Sequence, residues 1–78
     1  MKILKTWVEV LQDSNHPLKN TDAYREGFRT GWYNASINLH SSFRSTIFPT
    51  ESQWVQDNTV GYRDGHRAWI LQHGETNV

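Results

Sequence analysis

Apolar side chains recur along this chain at helical rather than alternating intervals. Over residues 3–12, Ile3, Leu4, Trp7, Val8, Val10 and Leu11 fall on one broad face, with Lys2, Lys5, Glu9 and Gln12 largely opposite. This predicts a short amphipathic helix. The β-branched, partly alternating run Thr6-Trp7-Val8-Glu9-Val10 keeps a strand as the rival reading. Asp13-Ser14-Asn15-His16-Pro17 then ends the element by turn chemistry. A second helix is predicted over about 22–40, opened by the cap candidates Asn20, Thr21 and Asp22. Tyr24, Phe28, Gly31, Trp32, Ala35 and Leu39 share its inner face, whereas Tyr33 and Ile37 point elsewhere. That helix is therefore expected to be covered on two sides or to leave an apolar patch exposed.

A third helix is predicted over about 50–73. Pro49 precedes Thr50, and Thr50 with Gln53 has the spacing of a reciprocal capping box. Trp54, Asn58, Gly61, Tyr62, Gly65, Ala68 and Trp69 line one face, with Val60 and Leu71 on another. Residues 40–48 read as a connection, Gly74 as a helix stop and residues 75–78 as a frayed tail. The expected fold is all-α and a single small domain over residues 1–78. Its centre is an antiparallel pair of helices, 22–40 and 50–73, with the short helix 3–12 packed on it.

One element recurs within this pattern. Gly27-Phe28-Arg29-Thr30-Gly31 returns as Gly61-Tyr62-Arg63-Asp64-Gly65, both inside predicted helices. A glycine inside a helix costs roughly 1 kcal/mol relative to alanine, so packing or binding must offset all four. The spacing matches a tetratricopeptide period, but two copies fall short of the three that a solenoid needs. One reading makes Gly27, Gly31, Gly61 and Gly65 the points where the two helices cross closely. The other makes them the floor of a shallow groove.

Composition narrows the function classes. The chain has 78 residues, ten aromatics and no cysteine, so aromatic packing rather than disulfides must hold the domain. Eight basic and eight acidic side chains cancel, which argues against nonspecific coating of nucleic acid. No run is long enough for a membrane span, and the amino terminus lacks the apolar stretch of a signal peptide. A cytoplasmic location is expected. No nucleophile elbow, phosphate loop or paired-carboxylate motif stands in the sequence, and His66 and His73 are too widely spaced for a common metal motif. Catalytic residues, metal and cofactor are all expected to be absent.

Arg25 with Arg29, and Arg63 with Arg67, form two i, i+4 pairs beside the glycines. Together with Trp32 and Trp69 they are the candidate partner-binding residues, because arginine and tryptophan dominate binding hot spots. Guanidinium groups among aromatics also suit RNA. The plainer reading is that Glu26 and Asp64 neutralise them and they solvate the helices.

Gly27-Phe28-Arg29-Thr30-Gly31, Phe48-Pro49, Ser52-Gln53-Trp54 and Gly61-Tyr62-Arg63-Asp64 follow in an order that resembles the ribosome modulation factor family. The resemblance covers roughly residues 22–70. It implies a short two-helix protein that binds the small ribosomal subunit and silences translation. The leading expectation is a non-enzymatic regulator or inhibitor that docks on a larger protein or ribonucleoprotein. Structured-RNA or ribosomal binding is the alternative, and an oligomer subunit associating through Tyr33, Ile37, Val60 and Leu71 is the third.

Overall fold

The computed structural model describes residues 4–37 and 50–73. It holds three helices, α1 (Trp7–Asp13), α2 (Asp22–Ile37) and α3 (Gln53–His73), and no strand among the described residues. The first element is thus a helix, which removes the strand reading. Residue 3, residues 38–40 of the expected second helix, the whole expected connection 40–48, and Gly74 with the tail lie outside the described residues.

At α1 and α3 a side chain satisfies one of the first amides, and at α2 an acidic residue stands in the first turn. At α1 the Glu9 amide donates to Thr6 Oγ1 at 3.3 Å, and the Thr6 amide donates to Glu9 Oε1 at 2.9 Å, a capping box. At α2 the Arg25 amide bonds the carbonyl of Thr21, and Asp22 places a negative charge in the first turn. At α3 the Val55 amide donates to Ser52 Oγ at 3.2 Å. The cap is therefore Ser52 and not Thr50, because the helix starts at Gln53.

α2 and α3 form the body of the domain, but not as an antiparallel pair. The Asn58 amide donates to the Ala23 carbonyl at 3.1 Å near the start of α2. The Asn34 amide bonds the Tyr62 hydroxyl further along, and the Trp32 ring meets that of His73. Low numbers meet low numbers and high meet high, so the two helices run in the same direction. A parallel pair needs a return path. At about 3.3 Å per extended residue, the chain between Ile37 and Gln53 is long enough to retrace the roughly 24 Å of a 16-residue helix.

The core is built from α2 outward. Leu11 and Tyr24 are essentially inaccessible, and Phe28, Trp32 and Ala35 are also buried. Trp7, Val10, Leu18, Val60, Ala68 and Trp69 pack partly buried against this cluster. α1 lies against the pair in the direction opposite to α3. The Lys5 amide donates to Gln72 Oε1 at 2.8 Å while Gln72 Nε2 donates to the Lys5 carbonyl at 2.9 Å. Past the far end of α1, His16 stacks on Tyr24 with ring centres 4.5 Å apart.

Candidate functional site

The four glycines define the crossing. A Cβ on Gly27 would overlap the carbonyl oxygen of Asn58, and one on Gly31 that of Tyr62. On the other helix, a Cβ on Gly61 would overlap the carbonyl oxygen of Tyr24, and one on Gly65 that of Phe28. Gly61 follows Gly27 by 34 residues, as do Gly65 after Gly31, Asn58 after Tyr24 and Tyr62 after Phe28. The contacts map onto themselves when the helices are exchanged with that shift. An approximate two-fold axis therefore runs along the pair, and the sequence repeat is its imprint. Each glycine thus brings its Cα against a facing carbonyl oxygen, a close approach of the kind worth about 0.5–1 kcal/mol per Cα–H···O contact.

Beside the crossing, the Tyr24 hydroxyl donates to Asp64 Oδ2 at 2.7 Å. His16 Nδ1 accepts the Leu18 amide at 3.1 Å, which leaves Nε2 facing Asp64 at 3.8 Å. Arg63 Nε reaches Asp64 Oδ1 at 3.5 Å. Burial first, then the hydrogen bond to Asp64 and its charge, push the Tyr24 hydroxyl well above the ordinary tyrosine range. A raised pKa in the fold stabilises it fully below the unfolded tyrosine value of about 10, and that stability is lost as pH climbs past it. The urea midpoint is therefore expected to fall above about pH 10, by at most roughly 1.4 kcal/mol per pH unit from this group. Tyr24→Phe is expected to cost about 1.5 kcal/mol at neutral pH and to flatten that alkaline decline. An equally steep decline in the variant would count against the assignment.

The arginines do not form one surface. Arg25 and Arg29 line a cleft of about 460 Å³ together with Trp7, Asp22, Glu26 and Trp54. Arg67 lies along a different seam with Val10, His16 and Leu71, and Arg63 turns to Asp64. The two-fold relates Arg29 to Arg63 and sets those two on opposite flanks, whereas Arg25 and Arg67 correspond to Thr59 and Tyr33. Trp32 does not fit a docking role: it is 7% exposed and packs against Phe28. Trp69 is half-buried and stacks on His73 at 4.3 Å.

Helical spacing places Trp7 and Trp54 on inner faces and does not mark them as site residues. Trp54 shares the inner face of α3 with Gly61, so its spacing marks it as core. Its two-fold counterpart is position 20, which precedes the first residue of α2. α2 starts beyond that level, and 55% of Trp54 is exposed in the cleft that it shares with Trp7, Asp22 and Arg25. In the same cleft Arg29 pairs with Glu26 at 3.3 Å, an exposed contact of little energetic weight. Among the described residues no three His, Asp or Glu side chains are grouped to hold a metal ion, and no helix is long and apolar enough to cross a membrane.

No protein-family model, curated protein or solved structure matches the chain.

Proposed function

We propose that this chain is a small, non-enzymatic binding protein of the cytoplasm that regulates a larger macromolecular partner by docking through the Trp7–Trp54 cleft. The observation that carries this reading is a half-exposed tryptophan at the mouth of a cleft that also presents Trp7, Arg25 and Arg29. Large rigid aromatics beside guanidinium groups are the residues that dominate binding energies at interfaces. Asp22 and Glu26 balance the two arginines within the cleft. That neutrality favours a protein surface of mixed charge over a phosphate backbone. Arg25→Glu combined with Arg29→Glu is expected to weaken capture of the partner from nuclease-treated host lysate by at least tenfold, with helicity unchanged. Undiminished capture would remove the cleft from the account.

The second reading is ribosome or structured-RNA binding, favoured by the resemblance of the two glycine elements to ribosome modulation factors. It expects cosedimentation with small ribosomal subunits and an affinity that falls steeply with salt, because phosphate contacts release counterions. Capture that survives nuclease and is insensitive to salt decides for the protein partner.

A further inference from the structure

The link from α1 to α2 turns on His16. Its amide donates to Ser14 Oγ at 2.9 Å, its carbonyl accepts the Lys19 amide at 3.1 Å, and its ring Nδ1 accepts the Leu18 amide at 3.1 Å. Pro17, between His16 and Leu18, has no amide to give. A side chain that accepts the amide two residues on is the part that asparagine and aspartate play in an Asx turn, and Asn-Pro and Asp-Pro favour turn starts. His16 fills that part with an acceptor that a proton can remove. An ordinary imidazole changes charge between about pH 5 and 8, and its protonated form donates from both nitrogens and accepts at neither.

What surrounds the ring decides the consequence. It stacks on Tyr24 of α2 at 4.5 Å, and its Nε2 stands 3.8 Å from Asp64 Oδ2 on α3. That oxygen also accepts the Tyr24 hydroxyl, Arg63 faces the other oxygen, and Arg67 lies in the same seam. From α1 and its end, Val10 and Ser14 enter the seam, both uncharged. We propose that residues 16–18 form an acid-sensitive clasp: neutral His16 holds the Leu18 amide, and protonation releases it while Asp64 keeps the imidazolium over Tyr24. Leu18, which packs partly buried against the core, is the residue let go. What loosens is the approach to α2, where the Leu18 carbonyl accepts the Thr21 amide and the Thr21 carbonyl that of Arg25. The glycine crossing of α2 and α3 has no part in it. The clasp stands independently of the Trp7–Trp54 cleft, and either can fail without the other.

The test follows the ring nitrogens of His16 and the Leu18 amide by nuclear magnetic resonance in the intact isotope-labelled protein, from about pH 8 to about pH 5. Expected at the alkaline end are a ring protonated on Nε2 alone and a Leu18 amide protected from exchange. As His16 gains its second proton, the Leu18 resonance is expected to shift with the same midpoint. Its protection factor is expected to fall about tenfold, the scale of one lost hydrogen bond. The amides of Gly27 and Gly61 are expected to keep theirs. His16→Asn puts a carbonyl oxygen in place of the ring acceptor, so there the Leu18 amide is expected to stay protected throughout. A ring protonated on Nδ1 at the alkaline end, or a His16 still neutral at the acid end, would overturn the proposal. So would a Leu18 amide indifferent to the protonation of His16, or the same pH dependence in His16→Asn.

Discussion

Replacing Gly31 with alanine is expected to destabilise the fold by about 2 kcal/mol or more, although alanine is the better helix former. Alanine gains roughly 1 kcal/mol in helix propensity. Against this, the new methyl would overlap the Tyr62 carbonyl oxygen and stand 2.9 Å from the His66 amide nitrogen. Overpacking costs typically 1–3 kcal/mol where side chains can adjust. Here the obstacle is backbone, so no rotamer change relieves it and the helices must move apart. A domain of this size holds on the order of 4–12 kcal/mol in total. Single alanine variants at Gly27, Gly31, Gly61 or Gly65 are expected to lower the urea midpoint, and a pair on opposite helices to leave little cooperative folding. A rise in midpoint at any of the four would mean that the helices do not cross there.

Leu11→Ala is expected to cost about 2–5 kcal/mol, the range for emptying a fully buried leucine site. Leu11 is 0% exposed and joins Tyr24, Phe28 and Trp32 in the core. α1 has seven residues, far below the roughly 12–15 at which an isolated helix becomes even marginal in water. It persists only because it is docked. Once Leu11 is truncated, α1 is expected to lose amide-exchange protection at lower denaturant than α2 and α3. Urea denaturation gives the total cost, and hydrogen exchange shows that the loss begins in α1. Uniform protection across all three helices would contradict this order.

Helical periodicity reads the second and third elements and the inner face of α2, because Tyr24, Phe28 and Trp32 recur at fixed intervals. The β-branched run from Thr6 to Val10 leaves the first open to a strand. The starts were harder to read. The Thr6-x-x-Glu9 capping box that opens α1 lies inside an apolar run beginning at Ile3, and hydropathy alone extends the helix across it. At α3, Thr50 and Ser52 both carry a capping hydroxyl, and the choice falls to whichever leaves the helix starting at Gln53.

Direction was not legible at all. Periodicity assigns residues to faces without orienting one helix against another, and the antiparallel expectation rested on the habit of consecutive helices. The parallel arrangement instead follows from contacts such as Ala23 with Asn58 and Asn34 with Tyr62. Those contacts also explain the candidate site. A parallel two-fold places Arg29 and Arg63 on opposite flanks, and it leaves Trp54 beyond the start of α2. Trp32 and Trp54 exchange roles for that reason: both carry core spacing, but only Trp32 lies where α2 and α3 run side by side.

The parallel glycine crossing underlies both the two-fold and the separation of Arg29 from Arg63. The absence of cysteine allows spin labels to be placed at chosen pairs without background. With Asp22→Cys and Gln53→Cys, pulsed electron resonance is expected to find a short distance, because α2 and α3 start at the same end. With Asp22→Cys and Leu71→Cys the distance is expected to be longer by on the order of 20 Å, following the rise of an α-helix over the intervening turns. A shorter distance for the Asp22–Leu71 pair than for the Asp22–Gln53 pair would contradict the account.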